Sequence, residues 1–457
     1  MTKALHNEQQ PLFSMEFQSG GNHDFGGRQT SFYDLHTRLC LSSGMRGINH
    51  YLFFGGENDP LLSPVRRHDW GPPVRTDGTL RRHYFRYPQL SQVLASYGRD
   101  LALSRPVTVT TIGFLLDYFM TEVNNERTQE ATRILTHQRD VVLFDMIARG
   151  LSLTHRPFTA VDLDHDELDV ATTPLCWVLM EKQCHGATQQ KLVDYVRRGG
   201  KLILVGRMCV EDFHHRACTI LKDALGIKHI KGDLLFAARS ITAFDHHDVP
   251  VSFLETYSPR KGDTDAERLG EFDEVLAARE SGEVVGFLQG LGAGQVLVFG
   301  AAVPADTLED LDIVHQMAIK MGCPPLFQLS DWADVRLSRG ENGSFLFVNN
   351  YQDDPVETTI ACAGTPLFGG TPVHVPARRG LILPLDWQLR EGVTIHYATA
   401  EITGITEDGS TLTLRTRPDE FVAEMSLSGY YCDHPTTEGQ RVSVQGKDGV
   451  IRLTRSR

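Results

Sequence analysis

The amino-acid sequence predicts an α/β chain that closes in antiparallel β structure, and three observations predict it. From Leu12 onward, apolar runs that stop at glycine alternate with stretches of helical apolar spacing. Near Arg105 the alternation changes style, and a longer series of strand and helix signals begins. From Pro324 the helical signals vanish, and short runs of alternating polarity separated by Gly, Asp and Asn take over. A chain of 457 residues exceeds what one hydrophobic core usually organises, so three domains are expected: 1–105, 106–325 and 326–457.

In the first stretch, Leu12 to Phe17 follows Pro11 and stops at Ser19-Gly20-Gly21, which reads as a buried strand emptying into a loop. A helical pattern follows through Phe32, Leu35, Leu39 and Met45, then a second apolar strand from Ile48 to Phe54, closed by Gly55-Gly56. Leu90, Val93, Leu94, Tyr97 and Leu101 again have helical spacing. This is the order of two consecutive β/α units.

In the second stretch, Val107 to Phe119 is β-rich, Arg127 to Leu151 helical, and Phe158 to Asp164 and Pro174 to Met180 are strands. Gln189 to Arg198 reads as a helix closed by Gly199-Gly200, Lys201 to Gly206 as a strand, and Phe213 to Leu225 as a helix closed by Gly226. That pattern describes a doubly wound open sheet. Strands around an acidic, Gly-rich loop near Lys261 to Glu271, the strand Gly294 to Phe299 and a last helix from Leu308 to Met321 are assigned to the same domain. The third stretch reads as an antiparallel sandwich, with runs such as Ser344 to Val348, Val393 to Tyr397 and Val450 to Leu453.

Lys and Arg number 45 against 58 Asp and Glu, a formal charge of −13 with the acidic residues scattered. A polyanionic partner such as nucleic acid meets net repulsion and finds no basic face, since Arg81-Arg82-His83 and Arg197-Arg198 are too short to form one. A neutral substrate fits better. The eight cysteines form no CxxC pair, so reduced, buried thiols are expected. No apolar leader segment and no run of roughly 18 apolar residues appears, so the expected location is the cytoplasm, away from membranes.

The strongest candidate for chemistry is Glu16, an acidic residue near the C-terminal end of an otherwise apolar strand. Barrel enzymes place their catalysts there. On position alone a structural carboxylate bonded to a neighbouring loop is the commoner outcome. Adjacent histidines, His214-His215 and His246-His247, would point to opposite faces of a strand and do not make a metal site; no cofactor is expected.

Pro11-Leu12-Phe13-Ser14-Met15-Glu16-Phe17-Gln18-Ser19-Gly20 is similar to the nucleophile segment of glycoside hydrolase family 35, the β-galactosidase family. Asn49-His50-Tyr51-Leu52-Phe53-Phe54-Gly55-Gly56-Glu57-Asn58 resembles that family's eighth-strand motif, and His68-Asp69-Trp70-Gly71-Pro72-Pro73-Val74 its following segment. The resemblance implies that residues 1–105 form strands seven and eight of a (β/α)8 barrel. It makes Glu16 the nucleophile of a retaining glycosidase and sets Tyr51 against the sugar or the Glu16 carboxylate. Glu57, Asn58 and Trp70 are further substrate-binding candidates; Gln18 and Glu57 depart from the family's aromatic and threonine. The helix ending in Val196-Arg197-Arg198-Gly199-Gly200 and the strand Lys201 to Gly206 resemble part of the amidotransferase-like (flavodoxin-like) domain that accompanies barrels in family 42 β-galactosidases and some family 35 relatives, which implies such a domain over residues 106–325.

The implied activity is hydrolysis of terminal β-galactosides on a β-linked oligosaccharide. An exo-β-glucosaminidase of the same architecture is the alternative. The family's acid/base glutamate belongs to strand four, which has no counterpart here, and Asn7-Glu8 reads as loop. The chain is therefore expected to be N-terminally incomplete. It would be an inactive fragment, or one part of a split enzyme, or would work as a homo-oligomer or with a complement carrying the missing barrel strands.

Overall fold

The computed structural model describes residues 11–18, 31–122, 125–233, 239–259, 272–437, 439 and 441–456. Ser19-Gly20-Gly21, Asn7-Glu8 and the Lys261 to Glu271 loop lie outside them. The architecture is α/β plus β, organised as two compact units. Residues 108–326 make one; the other joins the stretch before Thr108 to the stretch from Phe327 onward. No helix among the described residues is long and apolar enough to cross a membrane.

In the discontinuous unit, β1 (Leu12–Gln18) and β2 (Met45–Tyr51) pair in parallel and are joined by α1 (Phe32–Ser42). Helix α1 stops at Ser43-Gly44, where Gly44 takes a φ of 111° that side-chain-bearing residues rarely adopt. Met45, expected on the helix, thus opens the strand instead, and β2 ends at Tyr51 without reaching Phe53 and Phe54. After β2 comes α2 (Arg86–Leu103), which buries Tyr87, Leu90, Val93, Tyr97 and Leu101 on one stripe at the helical period.

That stripe enters a core shared with two antiparallel sheets, one of seven strands and one of four. Phe345, Phe347 and Trp387 come from the larger sheet and Ile402, Leu414 and Leu453 from the smaller. An ionic knot pins α1 to these sheets. Arg38 donates from Nε to both oxygens of Asp34, each at 3.1 Å, and from Nη1 and Nη2 to Glu401 at 2.5 and 3.3 Å. Glu401 Oε1 also accepts the Ile382 N–H at 2.8 Å. Tyr97 OH donates to the Ile382 carbonyl at 2.7 Å and accepts from the Ile402 N–H at 3.0 Å.

The second unit is an 11-stranded mixed sheet. Its parallel part contains β3 (Thr110–Phe114), β4 (Phe158–Asp162), β5 (Leu175–Met180) and β6 (Lys201–Gly206). They lie side by side in the order β4, β3, β5, β6, the doubly wound pattern in which the first strand sits inside the second. Strand β5 is apolar at nearly every position because the sheet buries both its faces. Helix α3 (Gly186–Arg197) crosses from β5 to β6 and ends at Gly199, with φ at 107°. Beyond β6, antiparallel pairing begins: β7 (Ile227–Asp233) runs against Leu254–Pro259.

The helix expected over Phe213 to Leu225 is confined to Ile220–Ala224. The Asp212 side chain accepts from the His214 and Arg216 amides at 2.8 and 3.0 Å, a local turn that competes with a helix start.

Candidate active site

Glu16 sits exposed in an irregular part of β1. Ser14 is opposite Ile48 and Phe17 opposite His50, so three steps on β1 match two on β2. This bulge at Met15-Glu16 breaks the strict alternation and re-aims the side chain, a device found at barrel rims and next to active sites. Asn49 holds it in place: its Nδ2 donates to the Met15 carbonyl at 2.8 Å. Asn49 was quoted above only as part of a motif, and its role follows from the register.

On the other side of β1, Phe17 is buried against an aromatic group on α1, β2 and α2. Tyr33 and Tyr87 stack at 3.8 Å between ring centroids, and His50 meets Tyr33 edge-on at 5.5 Å. His50 Nε2 lies 3.3 Å from the Tyr33 hydroxyl, while its Nδ1 is buried without a partner. Burial pushes the His50 pKa down, so the ring is neutral at physiological pH. Sequence reasoning passed over His50 because a polar residue inside a strand pattern carries no signal of its own.

The other candidates divide by what they touch. Tyr51, half-buried, pairs with Gln18 at the carboxyl ends of the two strands, and the Gln18 side chain lies outside the described residues. Trp70, 42% exposed, meets Tyr51 edge-on at 6.4 Å and His68 at 4.5 Å. Its free face is the size of a sugar ring. Glu57 is exposed and pairs with Arg67 across a short hairpin. Asn58 is committed to that hairpin's loop, its Nδ2 donating to the Val65 carbonyl at 2.8 Å and its N–H to the Arg66 carbonyl at 2.7 Å. Gly55 is required by packing: a Cβ there would lie 2.8 Å from the Thr76 amide and 3.0 Å from Asp69. Tyr51 and Trp70 thus meet at the carboxyl end of the parallel pair, and Glu16 precedes by two residues the Gln18 that lies opposite Tyr51.

Residues 126–263 match the family described as the GLMA-like second domain. The chain is 25% identical over 459 residues to an exo-β-D-glucosaminidase of Thermococcus kodakarensis, covering 97% of this chain and 55% of that one. It is 22% identical over 363 residues to a β-1,2-glucosyltransferase of Ignavibacterium album, covering 75% and 48%. Among solved structures, a β-galactosidase of Bacillus circulans sp. alkalophilus superposes with a TM-score of 0.61 at 14% identity, over 82% of this chain and 55% of that one. Gan42B, a GH42 β-galactosidase, also gives 0.61, at 12% identity over 82% and 54%. The chain spans about half the length of the curated relatives it matches.

These findings overturn the assignment to family 35. The family model that matches is the GLMA-like second domain, and the shared fold is that of family 42 β-galactosidases. The motifs misled because glycoside hydrolysis demands carboxylates and barrel enzymes of many families set them at strand ends, so a short block around one does not single out a family. The chain is glycosidase-like.

Proposed function

We propose that this chain carries the nucleophile side of a retaining, exo-acting β-glycosidase site, with Glu16 as nucleophile and a terminal β-linked glucosamine as the sugar it accepts. The observation that carries the reading is the bulge on β1, which sets the Glu16 carboxylate apart from the buried face of its strand and is buttressed by Asn49. In this reading residues 1–105 supply the last two strands of a (β/α)8 barrel, residues 106–325 an amidotransferase-like domain and residues 326–457 a β-sandwich. Phe13 and Met15, 52% and 79% exposed, support further strands beside β1, since a barrel leaves no such edge open.

Glu16 would attack the anomeric carbon, Tyr51 orient the carboxylate, and Trp70 stack on the sugar. Glu57 offers a negative charge to the ammonium group of an amino sugar and Gln18 reads a hydroxyl, while Asn58 holds the hairpin that carries Glu57. The second carboxyl that retention requires, about 5 Å away, belongs to other barrel strands, in the same polypeptide or in a complementing chain or copy. The amino-sugar reading rests on relatives described as exo-β-D-glucosaminidases. A β-galactoside is the second reading, favoured by the fold neighbours.

The test is turnover of nitrophenyl β-D-glucosaminide and β-D-galactoside by the protein with its full complement of barrel strands, together with trapping by an activated fluorosugar and peptide mass spectrometry. The expected result is cleavage of the glucosaminide and a sugar adduct on Glu16. An adduct on another residue, or full activity in Glu16→Gln, refutes the assignment; preference for the galactoside selects the second reading.

A further inference from the structure

A positively lined cavity of about 680 Å³ opens at the carboxyl ends of β5 and β6, far along the chain from Glu16. Four cationic side chains line it, Lys182 after β5, Arg207 after β6, Lys222, and Lys228 on β7, together with His229 and a single carboxylate, Glu255. In a chain of net charge −13, this concentration of positive charge is a local construction. Its position follows the rule that open parallel sheets bind ligands beyond the carboxyl ends of their strands.

The charges are only partly spent. Arg207, 6% exposed, donates from Nη1 to Glu181 at 3.2 Å, but among the described residues neither its buried Nε nor its Nη2 has a hydrogen-bond partner. Lys182 and Lys228 have no carboxylate within ion-pair distance among the described residues, while Lys222 pairs with Asp223 at 3.4 Å. Glu255 accepts the Met208 N–H at 2.7 Å, and Arg207 and Lys182 partly offset the burial that pushes its carboxyl up. A nine-tenths-buried guanidinium with unused donors, flanked by unpaired lysines, is what an anion with several acceptor oxygens completes.

We propose that this cavity binds a phosphate group carried on a small organic body, of the size of a sugar phosphate, through Arg207, Lys182 and Lys228. The volume exceeds what bare phosphate fills and lies in the ordinary range of small-ligand sites. Binding here is independent of the Glu16 assignment.

Calorimetric titration of the whole chain with inorganic phosphate and with glucose 6-phosphate at physiological ionic strength tests it. Saturable one-site binding of either is expected, weakened on the order of tenfold or more in Lys182→Gln/Lys228→Gln and unchanged in Lys320→Gln, a remote surface lysine paired with Glu274. Equal affinity for the two probes assigns the site to phosphate alone; tighter binding of glucose 6-phosphate assigns the rest of the cavity to the sugar. Because Arg207→Gln strands the buried Glu181, the lysine double variant carries the decision, with its fold checked by circular dichroism. Absence of binding in the unaltered chain, or equal binding by a folded double variant, overturns the proposal.

Discussion

Replacing Arg38 by methionine should unfold the discontinuous unit far more readily than any single loss on its surface. The guanidinium is 3% exposed and spends all three nitrogens on two carboxylates, Asp34 and Glu401, which are 2% and 1% exposed. Removing it strands both acids in a low-dielectric core, and breaking a buried pair in this way costs about 3–5 kcal/mol. For a unit of this size that lowers the melting temperature by roughly 6–20 °C. Glu401→Gln is the milder cut: the amide oxygen can still accept the Ile382 N–H, and Asp34 still balances Arg38, so about 1.5–3 kcal/mol is expected. The assay is urea unfolding followed by hydrogen exchange on peptides covering Phe32–Ser42 and Glu401–Asp408. The Arg38→Met penalty should shrink as pH falls, because burial already pushes the Glu401 carboxyl up and the stranded acid takes up a proton. A cost below about 1 kcal/mol, or one no larger than that of Glu401→Gln, refutes the claim that this knot ties α1 to the sheets.

Two further outcomes follow from the same structure. Burial pushes the Glu181 carboxyl from 4.5 up to about 7, with Arg207 pulling the other way. The folded state then holds a proton that the unfolded state has already released between those pH values, so this group's contribution to stability falls as pH rises from 4.5 to 7. The slope is at most about 1.4 kcal/mol per pH unit; thermal melts across that window should flatten in Glu181→Gln, and an unchanged slope rejects the assignment. Asn49→Ala removes one exposed hydrogen bond, costing about 1 kcal/mol or less, but it frees the bulge on β1; fluorosugar labelling of Glu16 should slow by about tenfold or more, and an unaltered labelling rate shows that the bulge does not position the carboxylate.

Much of the local structure was legible because periodicity survives in it. Helix α2 was read from Leu90, Val93, Tyr97 and Leu101, and β5 from an unbroken apolar run, since burial of one stripe or of two faces leaves that imprint. Strand β2 was misplaced because Arg46, Gly47, Asn49 and His50 are not strand-like residues; a parallel partner and an aromatic wall decide their conformation. The Phe213 region failed for the opposite reason, as Asp212 capped a turn where apolar spacing suggested helix. In the candidate site, position singled out Glu16, but the bulge and its Asn49 brace depend on register, which one strand's sequence does not specify. The cations of the second cavity are scattered from Lys182 to Lys228 and converge only through the order of the strands.

Two of the buried arginines, Arg38 and Arg207, show how saturation separates structural from ligand-directed charge. Arg38 has a partner for every nitrogen, and the acid facing it from the sheet, Glu401, also accepts a backbone amide. Arg207 is buried nearly as deeply but bonds through one nitrogen, and the acid it faces, Glu181, has a buried oxygen with no partner. Buried ion pairs seldom stabilise more than well-packed apolar residues even when complete, and an incomplete one is a net cost to the fold. Packing therefore accounts for Arg38 and not for Arg207. On the proposal made for the cavity that Arg207 lines, an anion would offset this cost by using Nη2, Lys182 and Lys228 together.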